Sequence, residues 1–320
     1  MVETGAPDAL DLAVAHLGRG EAVALPTETV YGLAADATNA SAVTAIYEAK
    51  GRPQFNPLIC HMADLAMAEA NARFSPLALR LAENFWPGPL TLVVDKRADS
   101  PIHPLATAGL TTVGIRIPEG FARQVIAAFG RPLAAPSANR SGRISPTTAA
   151  HVARDLGHRI GLILDGGPCT VGLESTIIAI DGVQMTLLRP GGIDVDAIES
   201  AAGTRLLRHE GVPADQIIAP GMLASHYAPA ARLRLRATDV RPGEAVLGFG
   251  GQALPGTEAA VKVLDLSVSG DLAEAAANLF SYLAEADATG AKTIAVAPIP
   301  NRGLGEAIND RLARAAAPRP

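Results

Sequence analysis

The stretch LPTETVYGLAADATNASAVTAIYEAKGRPQFNPLICH, residues 25–61, contains in one run the features that decide the fold of this chain. An apolar strand at residues 23–25 ends at Pro26, because proline has no N–H group to donate to a neighbouring strand. Three polar side chains follow at residues 27–29, and Gly32 then allows a tight turn. Ligand groups collect at strand ends in α/β proteins, so we predict a functional loop here.

A helix and a basic loop follow this turn. Ser41 is suited to cap the helix, whose apolar residues recur at helical spacing as far as Lys50. Gly51 and Pro53 break the helix, so we expect Lys50 and Arg52 to lie on a constrained loop, where their loss reduces turnover and leaves stability almost unchanged. Two cations that face a polar strand end are suited to a multiply charged anion such as a polyphosphate.

A structural explanation of the same residues is also open at this point. The hydroxyl groups of Thr27 and Thr29 are able to satisfy N–H groups of the turn, and Lys50 and Arg52 are favoured at a solvated helix end by the helix dipole. The residue types alone therefore do not decide between the two interpretations, a ligand site or a turn followed by a basic helix end.

Three sequence segments resemble the signature segments of one known family. The segments PTET-YGL at residues 26–33, K-x-R at residues 50–52 and NPL-x-x-H at residues 56–61 stand here in the order typical of the YrdC/Sua5 family. This resemblance implies a nucleotidyltransferase that makes threonylcarbamoyl-adenylate and pyrophosphate from L-threonine, bicarbonate or CO2 and ATP, for the t6A modification of tRNA. It also implies Mg²⁺ bound to the ATP phosphates, and hand-over of the product to the tRNA threonylcarbamoyl transferase machinery.

Composition limits the other functions that are open to this chain. The net charge is −5 and aromatic residues make up 4% of the 320 residues, which argues against strong direct binding of tRNA over a whole surface. A non-catalytic RNA-binding module with a local basic cleft remains an alternative. No apolar run approaches the roughly 18 residues of a membrane span, and the acidic N-terminus is unlike a secretory signal, so we expect a cytoplasmic protein.

Cysteine usage argues against a metal site built from side chains. Cys60 and Cys169 are the two cysteines of the chain, and neither belongs to a CxxC or Cys/His cluster. We therefore expect two buried thiols and no protein ligands for a metal ion. A second alternative, the carbamoyl-adenylating enzyme of hydrogenase maturation, carries Cys-rich zinc fingers beside its YrdC-like module, and two cysteines exclude that architecture.

The rest of the chain predicts two α/β domains. Up to about residue 203, helix–strand units and a hairpin over residues 175–188 predict an open twisted mixed sheet, YrdC-like and similar to DHBP synthase, in which residues 145–147 cap a helix. Residues 204–231 lack periodicity and form the predicted linker. Residues 232–320 alternate strands and helices, which predicts a small Rossmann-like three-layer domain of the Sua5 type.

The resemblance also implies the residues of the site. Lys50 and Arg52 are the predicted catalytic cations. The predicted ATP contacts are Arg52, Asn56, Thr112, Ser137, Asn139, Ser145 and Arg189, and the predicted threonine contacts are Thr27, His61, Arg116, Ser175 and Tyr227. Tyr227 belongs to the segment at residues 220–229, which also contains Gly221, Met222 and His226 and which we predict to be an active-site lid.

Overall fold

The computed structural model describes residues 1–53, 55–208, 219–220 and 225–318. The first part of the chain contains, in order, β1 (Val2–Glu3), α1 (Ala9–Gly18), β2 (Val23–Leu25), β3 (Gly32–Asp36), α2 (Ala40–Lys50), β4 (Ile59–His61), α3 (Leu65–Asn71), α4 (Pro76–Phe85), β5 (Leu90–Asp95), β6 (Thr112–Arg116), α5 (Phe121–Phe129), β7 (Leu133–Ala134), α6 (Ala149–Leu156), β8 (Leu162–Asp165), β9 (Thr176–Asp181), β10 (Gln184–Arg189), α7 (Val195–Ala202) and β11 (Leu207–Arg208). The second part contains β12 (Arg232–Arg234), β13 (Ala245–Gly248), β14 (Lys262–Asp265), α8 (Leu272–Ala288), β15 (Thr293–Val296) and α9 (Leu304–Ala316).

The first part forms one large sheet. Within the described ranges its strand order is β1-β8-β2-β3-β7-β4-β6-β5-β9-β10-β11. Parallel and antiparallel pairs alternate irregularly along it: β4 pairs in parallel with β6 and antiparallel with β7. This confirms the predicted open mixed sheet, and the predicted hairpin is the antiparallel pair of β9 and β10.

The functional loop predicted after residue 25 connects two paired strands. Gly32 begins β3, and it lies opposite Leu25 in the antiparallel pair of β2 and β3. The expectation of a turn at Gly32 was therefore wrong, because the chain has already reversed within residues 26–31. Since every residue of β3 is buried, the loop is fixed at both ends by core strands.

Two predicted helix caps were also wrong. Asn39, and not Ser41, caps α2, because its side chain accepts the N–H groups of Ser41 and Ala42. Thr148 caps α6 by accepting the N–H group of His151, so the cap lies one residue beyond the predicted 145–147 segment. In both helices the residue with extended backbone geometry, whose oxygen faces the first turn, takes the cap.

The second part forms a four-stranded parallel sheet in the described ranges, with strand order β12-β15-β13-β14. Helix α8 packs on β13 and β14, helix α9 packs on β12, and the two helices pack against each other. The turn at residues 248–253 has positive φ at Gly250 and Gly251, as expected of a turn without a dinucleotide-binding helix. Between the two sheets, β11 extends the first sheet from within the predicted linker by pairing with β10.

The two parts share a closely packed interface. Val30 and Leu173 of the first part are buried in the same hydrophobic cluster as Leu279 and Phe280 of α8. Gly172 has a φ of 73°, and a Cβ atom at this position would lie 2.5 Å from the Cα atom of Ala277. The second part therefore contacts the backbone of the segment immediately before Ser175.

Candidate active site

A small enclosed space, which we call the central cavity, lies on one face of the large sheet beneath the segment that leads to the second part. Its volume is about 50 Å³. It is lined by Val30, Arg52, Ile59, His61, Arg116, Ala135, Pro136, Ser137, Glu174, Ser175, Arg189, Pro220, His226 and Tyr227. The structure thus brings together seven of the predicted site residues: Arg52, His61, Ser137, Arg116, Ser175, Arg189 and Tyr227.

Arg116 is held at the end of β6 by a carboxylate of the functional loop. Its Nη2 atom donates to Glu28 Oε1 at 2.6 Å, and its Nε atom donates to the carbonyl oxygen of Gly88 at 3.2 Å. The N–H group of Glu119 donates to the second oxygen of Glu28. The partner that a buried arginine requires is therefore Glu28, which the sequence analysis placed in the loop without a role.

His61 lies beside Arg116 in the parallel register of β4 and β6. Its side chain is buried, and its Nδ1 atom has no hydrogen-bond partner in the part of the chain that the structure describes. Burial, together with the positive charge of Arg116, lowers the pKa of His61 to about 3. At neutral pH the imidazole is uncharged, so one ring nitrogen donates and the other accepts a hydrogen bond.

Arg52 is fixed by residues that follow it. Its Nη2 atom donates to Asn56 Oδ1 at 2.6 Å and to the carbonyl oxygen of Pro57 at 2.9 Å. Burial lowers the pKa of Arg52 to about 10, which leaves the guanidinium charged at neutral pH. Asn56 therefore orients the cation and does not itself line the central cavity.

Lys50 does not lie on an exposed loop. It is the last residue of α2, it is buried, and Gly51 ends the helix with a φ of 59°. The Lys50 ammonium donates to the carbonyl oxygens of Ser137 and Asn139, each at 2.5 Å. Burial and the nearby Arg52 lower its pKa. This cation therefore holds the loop after β7 in place, and the expectation that Lys50 lies on the loop itself was wrong.

Arg189 and Ser175 form the opposite wall of the cavity. Arg189 donates through Nε and Nη2 to the carbonyl oxygen of Ser175, and Nη2 also lies 3.2 Å from the Ser175 hydroxyl. That hydroxyl is hydrogen-bonded to Thr91 at 2.7 Å. Neither Arg52 nor Arg189 has a carboxylate within salt-bridge distance in the described residues, so both charges are open to an anion.

The segment before β12 closes the cavity with two aromatic rings. Tyr227 is buried and has a φ of 63°, a backbone conformation that costs free energy in a residue other than glycine. Its ring lies 4.2 Å from the ring of His226 and 5.7 Å from that of Phe280 in α8. Burial lowers the pKa of His226 to about 3, so this imidazole is also neutral at pH 7.

Glu174 is a wall residue that the sequence analysis did not identify. One of its oxygens accepts a short hydrogen bond from the Ser145 hydroxyl, and the other accepts from Arg311 Nε of α9 at 2.8 Å. Burial raises the pKa of Glu174, but the charges of Arg311 and Arg189 outweigh burial and hold it at about 2. A signal was present in the sequence, since Glu174 is a charged residue inside a largely apolar run next to the predicted Ser175.

A second cavity, of about 350 Å³, lies between the two parts of the chain. Asn139 and Ser145, both predicted ATP contacts, are among its lining residues, as are the Arg143 and Arg154 side chains. The hydrogen bond from Ser145 to Glu174 joins the wall of this cavity to the wall of the central one. Five of the seven predicted ATP contacts are thus divided between two neighbouring cavities.

Four predicted residues line neither of these two cavities. Two of them, Lys50 and Asn56, act on other site residues, as described above. The Thr27 hydroxyl donates to the carbonyl oxygen of Val30 at 2.7 Å and lies 2.8 Å from Thr29 Oγ1, so it is used within its own loop. Thr112 lies at the start of β6, on the same face of the sheet as Arg116 by strand alternation.

Two family models match this chain in succession. The model described as "Telomere recombination" matches residues 15–191, and the model described as "Threonylcarbamoyl-AMP synthase, C-terminal domain" matches residues 193–317. The threonylcarbamoyl-AMP synthase of Bacillus subtilis is 41% identical, over 95% of this chain and 92% of the relative. That of Pyrococcus abyssi is 40% identical, over 95% of this chain and 93% of the relative.

Solved structures give the same relationship. The crystal structure of P. abyssi Sua5 complexed with L-threonine superimposes with a TM-score of 0.87 and 38% sequence identity, over 96% of this chain and 94% of that one. E. coli YciO superimposes with a TM-score of 0.52 over 57% of this chain at 20% identity, which relates the fold alone. In the described residues, no helix has the length and apolar character needed to cross a membrane.

Proposed function

Because this chain belongs to the Sua5-type threonylcarbamoyl-AMP synthases, nucleotidyltransferases of the t6A pathway, we propose that its central cavity binds L-threonine beside the phosphates of ATP. The reaction joins L-threonine and bicarbonate or CO2 to the AMP unit of ATP and releases pyrophosphate. L-threonine is the ligand of the P. abyssi Sua5 crystal structure, and ATP and bicarbonate follow from the activity.

One observation carries the nucleotide part of this proposal. Arg52 and Arg189 face the cavity as buried guanidinium groups, and neither has a carboxylate within salt-bridge distance in the described residues. Buried charges without partners are costly, and a polyphosphate supplies the charge that they lack. By contrast, Arg116 and Arg311 in the same region are already paired with Glu28 and Glu174.

The threonine part rests on the neutral imidazole and the arginine beside it. Arg116 retains N–H groups that Glu28 and Gly88 do not use, and these suit a carboxylate. His61 offers an unpartnered ring nitrogen to the threonine hydroxyl, and Val30, Ile59 and Ala135 offer apolar contacts to its methyl group. We propose His61, Arg116, Ser175 and Tyr227 as the threonine contacts; Thr27 serves its own loop.

The chain contributes position and charge to the chemical step. The threonine amine combines with CO2, losing a proton, or with bicarbonate, releasing water, to give an N-carboxy anion. A carboxylate oxygen of this anion attacks the α-phosphorus as pyrophosphate leaves. Attacking group and phosphate are both anionic, so Arg52 and Arg189 lower the barrier by neutralising charge, while Lys50 fixes the loop that carries Ser137 and Asn139. Covalent catalysis by cysteine is unsuited, since burial raises the pKa of Cys60 and of Cys169 to about 12.

We propose that magnesium enters this scheme with ATP. The two buried carboxylates of the site, Glu28 and Glu174, are each paired with an arginine. No group of three or more His, Cys, Asp or Glu side chains is arranged to bind a metal ion in the described ranges. Mg²⁺ would therefore be held by phosphate oxygens, and the steps above are carried by the arginines.

We propose that the segment at residues 220–229 is the lid of this site. Pro220, His226 and Tyr227 of this segment line the central cavity together with residues of the large sheet, so movement of the segment would open the cavity to substrates. Once closed, it excludes water from a carbamate and a mixed anhydride that hydrolyse readily. Gly221 and Met222, which belong to the predicted lid, lie outside the described residues.

We also propose how the chain divides into domains. We propose a catalytic domain at residues 1–203, a connecting segment at residues 204–231 and a C-terminal domain at residues 232–320. The net charge of −5 gives no reason for strong direct binding of tRNA, and we propose that the product passes to a separate tRNA threonylcarbamoyl transferase.

Pyrophosphate release from ATP, with L-threonine and bicarbonate omitted in turn, tests the proposed function. We expect release to require both. Arg52→Ala and Arg189→Ala should each abolish most of it, whereas Arg97→Ala, which removes an arginine outside both cavities that is paired with Asp99, should not. Undiminished release by Arg52→Ala and Arg189→Ala at saturating ATP would remove the two arginines from the phosphate site.

A further inference from the structure

We propose that Arg311, in the last helix of the C-terminal domain, is a positioning residue of the active site, which acts through Glu174 on the nucleotide contact Ser145. This inference rests on the function proposed above and extends it, because it gives the C-terminal domain a part in ATP binding. Among the described residues, Arg311 is the cation within salt-bridge distance of Glu174.

The first support is the burial and geometry of the contact. Arg311 is fully buried, and Glu174 is 8% exposed in its side chain. Arg311 Nε donates to Glu174 Oε2 at 2.8 Å, and the other oxygen of Glu174 accepts from the Ser145 hydroxyl. The carboxylate is therefore held at one oxygen by α9 while its second oxygen fixes the direction of Ser145.

The second support is that the Arg311 side chain is itself held in place by contacts within α9 and with the lid. Asp310 Oδ2 accepts from Arg311 Nη1 at 2.7 Å, while Asp310 Oδ1 accepts from Arg314 Nε at 2.9 Å. The Arg311 guanidinium also lies 5.1 Å from the centroid of the Tyr227 ring, within the range of a cation–π interaction. One arginine thus contacts both the wall residue Glu174 and the lid residue Tyr227.

The third support is that the C-terminal domain shapes the segment that carries Glu174. The close approach of Gly172 to Ala277 leaves no room for a side chain, and Leu173 is fully buried in the hydrophobic cluster of α8. Three consecutive residues, Gly172, Leu173 and Glu174, are fixed by contacts with the C-terminal domain. The direction of the backbone at the next residue, Ser175, is therefore fixed as well.

The test compares Arg311→Met and Arg311→Lys with the unsubstituted full-length chain. Loss of a hydrogen bond to a charged group weakens binding by about tenfold or more, so we expect the KM for ATP to rise at least about tenfold in Arg311→Met. We expect a smaller rise in Arg311→Lys, which keeps the charge but has no planar fork. The KM for ATP should change more than kcat, because the substituted residue does not touch the reacting atoms.

Glu244→Gln is the matched control. Glu244 is also a buried carboxylate paired with an arginine, Arg234, but the pair lies within the C-terminal domain and lines neither cavity. We expect a lower melting temperature and an unchanged KM for ATP. A double variant, Glu174→Gln with Arg311→Met, removes the unpaired buried charge; it should regain melting temperature relative to Arg311→Met and keep the raised KM.

An unchanged KM for ATP in a folded Arg311→Met variant, at any melting temperature, would overturn the proposal. So would a double variant in which ATP binding returns together with stability, since Arg311 would then act on stability alone. If Arg311→Met does not fold, the double variant and Arg311→Lys decide the question. Failure of the unsubstituted chain to release pyrophosphate would instead count against the proposed function.

Discussion

Glu28 Oε1 lies 2.6 Å from Arg116 Nη2, and both side chains are only 5% exposed. A carboxylate from the first loop is thus paired inside the protein with an arginine from the middle of the chain. Two charges removed from water in this way are tolerated only as a pair, because an isolated buried charge is strongly destabilising. The pair also fixes the guanidinium at which we place the threonine carboxylate.

Glu28→Gln should destabilise the protein by roughly 3 to 5 kcal/mol, since it leaves Arg116 as an uncompensated buried charge. The free energy of unfolding, measured by urea titration, checks this. The control is Asp99→Asn, which breaks an exposed pair with Arg97 and should cost less than about 1 kcal/mol. Equal losses in the two variants would show that burial of the Glu28 pair contributes nothing.

Lys50→Met should reduce both stability and turnover. The apolar stem is preserved, but the carbonyl oxygens of Ser137 and Asn139 lose their donor, at a cost of about 1 to 3 kcal/mol. Urea unfolding and pyrophosphate release are measured on the same sample. A variant as stable as the unsubstituted chain but without turnover would return Lys50 to the role of a cation that acts on phosphate alone.

Acid should destabilise the protein through the two buried imidazoles, His61 and His226. Their pKa values of about 3 in the folded protein lie below the ordinary 6.5, so the unfolded chain binds more protons between these two values. Their contribution to stability is complete above pH 6.5 and is lost as the pH falls towards 3, at up to about 1.4 kcal/mol per pH unit for each imidazole. His61→Gln and His226→Gln should each reduce this slope, whereas substitution of the exposed His158 should not.

The variants Tyr227→Phe and Tyr227→Ala should distinguish the contact of Tyr227 with threonine from its part in closing the central cavity. The phenylalanine keeps the ring between His226 and Phe280 but lacks the hydroxyl, so we expect a KM for threonine raised about tenfold and an almost unchanged product lifetime. The alanine also opens the cavity to water, so more product should be lost to hydrolysis. The ratio of AMP to intact threonylcarbamoyl-AMP gives the lifetime. Equal product lifetimes in all three proteins would contradict the lid.

Selection among amino acids should depend on the methyl pocket and the imidazole of His61. Serine lacks the methyl group and should be poorer than threonine by about 1 to 3 kcal/mol in kcat/KM. Valine keeps the size but leaves His61 without a hydroxyl partner, so it should be poorer still. Competition assays with the three amino acids measure this order, and equal use of valine and threonine would remove His61 from recognition.

Local sequence was sufficient for much of the fold. Pro26 marks the end of β2, and the predicted hairpin over residues 175–188 is the observed antiparallel pair of β9 and β10. Prediction from local sequence failed where two nearby residues could both cap a helix. Asn39, for example, takes the cap predicted for Ser41. An N-cap depends on the backbone angles of one residue, which composition does not specify.

The residue types that the chemistry of the site needs were predictable from the sequence. The residues with which they interact were not. The stretch from Pro26 to His61 contributed two residues, Arg52 and His61, that line the central cavity as predicted. Only the tertiary structure decided that Lys50 holds a loop and that Thr27 serves its own turn. It alone decided that Arg311 reaches Glu174 across 137 positions of sequence. A buried charge requires a counter-charge, but which residue supplies it is determined by how the two domains pack.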